Sequence, residues 1–512
     1  MEIQQLEFLR HLLRVKRHVY LDHNATTDVS RRVQREMNRV LRDCYGNPSS
    51  LYSIARKSAE VMEQARRHVA DAINAEPHEV IFTGCATESN NAVLKSVSNH
   101  FYPAKKKIIS TPIEHPSVIN TLEFLEAQGI VVEYCPVDGQ GRVRLDELED
   151  TIDADTFLIC CMLANNEIGT IQDIEAITKM ARRNDVLVLS DCVQALGKVP
   201  VDVDRWDIDY ASFSAHKLHG PKGVGALYVK TGSPFAPFIH GGHQEDGMRA
   251  GTESLHNIAG FGAACQDVGR LLALSDRVQM LKRRLIQQIK EIKPDCVINS
   301  PDEDCLPNTA SITFPNVGNA GLMAMLDYHG IAVSAGSACS SHEDRPSRVL
   351  KAIGLSDKAA QETIRISLGC STSPRDIRYT ARVFREYARG RAVPIAVITP
   401  RQLNRKVLFD EQTYILDVRS QYQRMRLPSL PNSHEASFVS IEDYLHQLPR
   451  DKHIIVVCQR GRLSHIVAHY LKSKGFGRVS NLQGGVSGWK ALRSDLYDEH
   501  AGQSIAVLEP AR

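Results

Sequence analysis

Between residues 79 and 190, short and almost continuous apolar runs alternate with stretches of helical spacing. The runs are Glu79–Gly84, Lys107–Ser110, Val131–Tyr134, Thr156–Met162 and Val186–Ser190. A strand that is apolar on both faces must be covered on both sides, and helices between successive strands favour parallel pairing. The pattern predicts an α/β fold built on a large, mostly parallel sheet. Met62, Ala65, Val69 and Ile73 fall at helical spacing within 54–73, which predicts one of the covering helices.

The pattern changes after Asn257. A helical stretch of about 257–293 leads to strands at Thr309–Phe314 and Ile331–Ser334, then to a helix from Ser373 to Tyr387. This reads as a smaller α+β domain. Gly390–Pro394 has linker chemistry. Beyond it, strands at Tyr414–Val418, His453–Cys458 and Gly477–Leu482 predict a third compact α/β unit. Three units agree with a length of 512 residues, too many for one core. With 43% hydrophobic and 24% charged residues the chain reads as an ordinary globular protein. Its net charge of +2 gives no reason to expect direct nucleic-acid binding, and no run is long enough to span a bilayer. Met1–Glu7 carries acids and no apolar signal core, so no export signal is expected, and residues 6–15 read as a short amphipathic docking helix. The 12 cysteines include no CxxC pair, which argues against a metal site and for reduced, mostly buried thiols in a cytoplasmic chain.

In open parallel sheets ligands bind beyond the carboxyl ends of the strands, so polar residues directly after the apolar runs are the candidates. Lys217, in Ser214-Ala215-His216-Lys217, is the type of side chain that forms Schiff bases with carbonyls such as pyridoxal 5′-phosphate (PLP). A solvated lysine in a turn is the plainer role, and Lys217 needs partners to escape it. Asp191 can hold a pyridinium nitrogen protonated, although a helix N-cap is its commoner use. Gln194 can reach the ring's phenolic oxygen. Gly84-Cys85-Ala86-Thr87 falls where a strand meets a helix, a natural anion site, and Thr87, Ser214 and His216 can add phosphate contacts. His115 can stack on the ring and exchange protons near neutral pH, or can be an ordinary loop histidine.

These residues belong to phrases that recur in one family: Tyr20-Leu21-Asp22, Ala86-Thr87-Glu88-Ser89-Asn90-Asn91, Glu114-His115, Asn165-Asn166-Glu167-Ile168-Gly169-Thr170, Ser190-Asp191, Ser214-Ala215-His216-Lys217, Arg249-Ala250-Gly251-Thr252 and Gly336-Ser337-Ala338-Cys339. Over about 18–388 the chain resembles the cysteine desulfurases, PLP-dependent enzymes of fold type I and aminotransferase class V. The resemblance implies that Lys217 is the Schiff-base lysine, Asp191 the pyridine partner, Gln194 the residue facing the ring oxygen and His115 the stacking histidine. It implies that Thr87, Ser214 and His216 bind the phosphate. Thr252 resembles a phosphate ligand supplied by a second subunit, hence a homodimer. Asn166 and Arg365 resemble the binders of the substrate α-carboxylate, a task suited to a planar guanidinium. Cys85, Cys192, His23 and Ala335 depart from the commoner family residues without touching this chemistry.

Two cysteines complete the reading. Val333–Pro346 is rich in small residues, and Cys339 within it fits a nucleophile on a flexible tether that takes sulfur from the bound substrate and carries it outward. Its Gly-Ser-Ala-Cys context resembles the long-loop form of the family. Cys458 ends an apolar strand before Gln459-Arg460-Gly461-Arg462, a basic turn whose backbone can cradle a thiolate. With Leu416-Asp417-Val418-Arg419 and Gly484-Gly485-Val486-Ser487-Gly488-Trp489, the stretch 398–495 resembles a single-domain rhodanese, a sulfurtransferase. Leu463 stands where that family usually has arginine, Leu430–His434 departs from its usual phrase, and a docking module without chemistry is the competing role. Serine at position 464 disfavours the related phosphatase loop.

The expected organisation is an N-terminal extension (1–17), a large PLP-binding domain (18–256), a small domain with the cysteine loop (257–390), a linker (391–397) and a rhodanese-like domain (398–512). The expected activity is conversion of L-cysteine to L-alanine, with sulfur passed from Cys339 to Cys458 and on to an acceptor protein of iron–sulfur, thio-tRNA or cofactor synthesis. A selenocysteine lyase or another class V lyase, and a non-catalytic scaffold for sulfur carriers, are the alternatives.

Overall fold

The computed structural model describes residues 18–336, 346–389, 395–438, 441–493, 496 and 506–507. The expected helix at 6–15 and the linker motif at 390–394 lie outside them. Two compact units are present: Tyr20–Pro315 with Val333–Ile377, and Asn316–Ala332 with the described residues from Arg378 onward.

The first unit is built on seven strands: β1 (Val80–Thr83), β2 (Lys107–Ser110), β3 (Val131–Tyr134), β4 (Thr156–Cys160), β5 (Leu187–Asp191), β6 (Tyr210–Ser214) and β7 (Gly225–Val229). Their order is β1-β7-β6-β5-β4-β2-β3. Only β7 runs against its neighbours, pairing antiparallel with both β1 and β6. Two sides of the sheet are sealed by separate cores. Ile109, Ile159, Val188 and Phe213 point into one, Ile108, Leu158, Leu189 and Tyr210 into the other. Period-2 alternation with apolar residues on both faces is what makes the runs continuous in sequence.

Helices α1 (Arg31–Asp43) and α2 (Ser53–Ile73) contribute Val33, Ala65 and Val69 to the first core. Helices α3 (Ala86–Phe101) and α4 (Pro116–Glu126) contribute Val93, Leu94 and Leu122 to the second. The single helical stretch expected at 257–293 is three helices, Leu255–Cys265, Val268–Ala273 and Ser275–Ile292. The breaks at Gln266, Asp267 and Leu274 keep right-handed helical dihedrals and contain neither glycine nor proline, so nothing in the sequence signals them. Strand β7 went unread because its Gly-Ala start dilutes the apolar signal. A small antiparallel sheet, β8 (Val297–Ile298), β9 (Thr309–Thr313) and β10 (Thr363–Ser367), places Arg365 opposite Ser311.

The C-terminal sheet comprises β11 (Ala396–Ile398), β12 (Thr413–Asp417), β13 (Ser433–Glu435), β14 (His453–Val457), β15 (Val479–Leu482) and β16 (Ala506–Val507), ordered β11-β15-β14-β12-β13-β16. Every pairing in it is parallel. Leu416 and Val456 face one core, Ile415, Ile455 and Val457 the other. Among the described residues no helix is long and apolar enough to cross a membrane.

Candidate active site

Four of the expected residues sit just past the carboxyl ends of strands that point the same way: Thr87 after β1, His115 after β2, Asp191 at the end of β5 and Lys217 after β6. Lys217 closes a single 3-10 turn, Ala215–Lys217, that begins as β6 ends. Its Nζ donates to the carbonyls of Asn24 at 2.5 Å and Ala25 at 3.0 Å. Gln194 donates to the same Asn24 carbonyl at 3.0 Å and accepts from Lys198 Nζ at 2.6 Å. Lys198 is half-buried, and loss of hydration, followed by the charges of Lys217 and Arg365, pushes its pKa well below the ordinary lysine value.

A second chain of bonds joins His115 to Asp191. Pro116 opens α4, and His115 caps it by accepting from the Ser117 amide at 3.1 Å. A backbone N–H can only donate, so Nδ1 is the acceptor and the neutral ring carries its proton on Nε2. The His115 pKa is lowered, first by burial; Asp191 raises it and Lys217 lowers it further, so both of these charges are felt at the ring. Ser117 Oγ lies 2.8 Å from His115 Nδ1 and 2.9 Å from Asn90 Nδ2, which in turn donates to Asp191 Oδ2 at 3.0 Å. Asp191 Oδ1 accepts from the Val193 amide at 3.0 Å. The competing capping role is thus present as a turn bond, while the carboxylate as a whole is turned toward the cluster.

Arg365 is 2% exposed. Its Nη1 donates to the Asn166 carbonyl at 2.9 Å and its Nη2 pairs with Asp22 Oδ1 at 2.7 Å, while Nε is buried with no partner among the described residues. Asn24 ties this corner to the lysine, donating to the Asn166 carbonyl at 3.1 Å and to Thr309 Oγ1 at 2.8 Å. Asn24, Asn90 and Lys198 were not singled out from the sequence. Asn90 lies inside the motif that carries Thr87, which is the one signal that could have found it; nothing in the sequence marks Asn24 or Lys198.

Ser214 is buried at the end of β6, and His216 Nδ1 lies 3.1 Å from Thr26 Oγ1. Burial pushes the His216 pKa down to about 4, so at neutral pH this ring can meet a phosphate only as a neutral donor. Thr87 is exposed in the first turn of α3. Thr252 is exposed in the loop before Leu255. Cys339 lies outside the described residues.

Two observations test whether a pyridine ring with a phosphate suits this cluster. Asp191 is buried without an ion-pair partner among the described residues, a costly state that a protonated ring nitrogen would relieve. Helix α3 starts at Cys85 with no side-chain cap, which leaves its first amides to an anion. Gly225 makes room there, since a Cβ on it would fall 2.8 Å from the Cys85 carbonyl carbon and 3.0 Å from the Ala86 amide. The residues fit.

In the C-terminal unit Cys458 directly follows β14 and is buried. Its Sγ is 3.2 Å from Ser464 Oγ, which is 2.6 Å from Asn481 Oδ1. The Val486 amide donates to the Cys458 carbonyl at 2.9 Å and the Ser487 amide to the Gln459 carbonyl at 3.1 Å. Gly485 must be glycine for that contact: its φ is +60° and a Cβ would lie 2.2 Å from the Cys458 carbonyl oxygen. Arg419 and Asp417 form a fully buried ion pair, and Arg419 also reaches Gln459 Oε1 at 3.3 Å, next to the thiol. Leu463, in the usual arginine place, packs against the core of this unit.

Comparison with known proteins agrees with this division of labour. Residues 19–379 match the model of the aminotransferase class-V family, and residues 399–492 match that of the rhodanese-like domain. The chain is 40% identical over 370 residues to the cysteine desulfurase IscS of Dictyoglomus turgidum, an overlap covering 72% of this chain and 94% of the relative. It is 39% identical over 369 residues to cysteine desulfurase 1 of Trichormus variabilis, covering 72% and 92%. Among solved structures, a NifS-like protein superposes with a TM-score of 0.69 at 40% identity, covering 73% of this chain and all of the other. SspA in complex with cysteine superposes with a TM-score of 0.62 at 34% identity, covering 69% of this chain and all of the other. The chain therefore belongs to the PLP-dependent aminotransferase class-V family, as a relative of the cysteine desulfurases that carries a rhodanese-like domain behind the catalytic fold.

Proposed function

We propose that the chain is a cysteine desulfurase that converts L-cysteine to L-alanine, receives the sulfur on Cys339 and passes it to Cys458 of its own rhodanese-like domain. The observation that carries this reading is the convergence of Lys217, Asp191 and His115 through Asn24 and Asn90 at one end of the sheet. Bound PLP supplies the electron sink that loosens the substrate's bond to sulfur. Lys217 anchors the cofactor and Asp191 keeps its ring nitrogen protonated. Gln194 would meet the ring oxygen, and Thr87, Ser214 and His216 would hold the phosphate. His115, neutral with its proton on Nε2, would lie against the ring and exchange protons with the substrate. The substrate carboxylate meets Asn166 and Arg365, whose unpartnered Nε is a donor in waiting. Relatives named as desulfurases, and one solved with cysteine, favour this over a selenocysteine lyase or a non-catalytic scaffold.

The active form is a homodimer in which Thr252 of one chain completes the phosphate site of the other. Support comes from the exposure of Thr252 and from the apolar side chains bared in one stretch of sequence, Tyr45, Leu51 and Tyr52. The domain limits are those of the sequence reading, with the linker at 391–397, between the two family matches. Joining the domains makes the second transfer intramolecular, which raises the effective concentration of the acceptor thiol. The recipient beyond Cys458 is a sulfur-acceptor protein.

Cysteine labelled at sulfur is expected to place label on Cys339 first and on Cys458 second, read by trapping and peptide mass. Cys458→Ser should keep alanine formation and lose delivery to the acceptor. If delivery is unchanged in that variant, the relay is wrong even though the desulfurase stands.

A further inference from the structure

Next to the cofactor cluster, the first unit holds another thiol with the partners of a nucleophile. Cys370 lies in the turn after β10, and its Sγ is 3.1 Å from Nε2 of His219. On the far side of that ring, Nδ1 faces the Asp28 carbonyl at 3.0 Å and the Asp28 carboxylate at 3.2 Å. Both partners are oxygens that only accept. Nδ1 therefore carries the proton, and Nε2 is left to accept the hydrogen of the thiol. Cysteine, histidine and aspartate stand in the order that activates a thiol by an oriented base. Burial works against a charge on His219, yet the bond to Cys370 and the charge of Asp28 outweigh it and hold the imidazole above its ordinary pKa.

The pair is held in place from both sides. His219 has a φ of +64°, a region uncommon for a bulky residue. Two bonds keep it there: its amide donates to Thr27 Oγ1 at 2.8 Å, and its carbonyl accepts from the Ser30 amide at 3.0 Å. Strained backbone that the surroundings enforce marks a side chain whose direction matters. Arg277 holds the other partner, donating to the carbonyls of Cys370 and Thr372 at 3.0 Å each. The pair borders a cavity of about 50 Å³ whose walls include Lys198, Lys217 and His23. Burial pushes the His23 pKa down to about 4, so that ring is neutral. About 10–15 Å³ of such space is enough to hold one water molecule. The cavity thus has room for an extra sulfur atom on Cys370.

We propose that Cys370 is a second sulfur-accepting thiol of this enzyme, which takes sulfane sulfur from small inorganic persulfides. The Cys370 thiolate attacks one sulfur of hydrogen disulfide. The donor's S–S bond breaks, a new S–S bond forms on Cys370, and hydrosulfide leaves. His219 takes the thiol proton and returns it to the leaving group as hydrogen sulfide. The transferred sulfur keeps its oxidation level, so no external oxidant or reductant enters. This goes beyond the relay through Cys339 and Cys458 and does not rest on it.

The test treats the full-length holoenzyme at neutral pH with limiting sodium disulfide, traps thiols with iodoacetamide and weighs the peptides over time. The Cys370 peptide is expected to gain one sulfur about tenfold faster than that of Cys85, the exposed thiol at the start of α3. His219→Asn keeps a residue type that tolerates the left-handed backbone and removes the base. In it the Cys370 rate should fall about tenfold, to that of Cys85, with circular dichroism unchanged. A wild-type Cys370 rate no higher than that of Cys85 overturns the proposal, as does a folded His219→Asn protein with an unaltered rate. If that variant does not fold, the wild-type ratio decides by itself.

Discussion

Glu114 is buried beside His115, and burial pushes its pKa up from 4.5 to about 8 despite bonds from the Met162 amide and Thr111. Between those pH values the folded chain holds a proton that the unfolded chain has released. Unfolding then releases a proton, so this group makes the protein less stable as pH rises from about 4.5 to 8, and adds nothing further above that. Both bonds arrive at the same oxygen, Oε1, at 2.8 Å. A glutamine can keep both and stands in for the protonated acid. Glu114→Gln is therefore expected to lose this part of the pH dependence, a slope of up to about 1.4 kcal/mol per pH unit. Chemical denaturation of both proteins at pH 5, 6, 7 and 8 reads it; parallel stability curves would mean that the carboxyl ionises freely.

At the scale of elements, the thiol loop of the C-terminal unit depends on what flanks it. Arg419 and Asp417 have fully buried side chains, and Arg419 spends its donors on Asp417, the carbonyls of Leu427 and Pro428, and Gln459. Arg419→Met leaves the Asp417 carboxylate without a counter-ion among the described residues, between parallel strands. The expected loss is about 3–5 kcal/mol, as for other buried pairs cut on one side. It should appear as a lower denaturation midpoint for this unit, followed by the fluorescence of Trp489, which is wholly buried there. A loss below about 1 kcal/mol, the range of surface pairs, would show that water reaches the pair.

For the whole molecule, the proposed homodimer sets a complementation test. Each site would take Lys217 from one chain and Thr252 from the other. A mixed dimer of Lys217→Ala and Thr252→Ala chains then contains one doubly altered site and one intact site. Mixing and reassembling the two inactive or weakened variants is expected to restore alanine formation toward half of the wild-type rate per dimer. No recovery in a verified mixed dimer would place Thr252 in the same chain's site or in none.

By itself the sequence determined the layered α/β plan, the positions of most strands and the motifs that carry Lys217, Asp191 and His115. Those signals are local: two-residue alternation, helical spacing and short phrases at strand ends. Breaks at Gln266 and Leu274 were illegible because helical dihedrals continue through them. Tertiary structure alone decided the company each residue keeps. Lys217 meets a carbonyl 193 positions away, Arg365 an aspartate 343 away, and Cys370 a histidine 151 away. Such meetings are set by how strands order in the sheet and how loops close over it, and no period or local propensity encodes them. That is why the sequence could single out Lys217 and Asp191, while Asn24, Lys198 and the Cys370–His219 pair emerged only when the chain was folded.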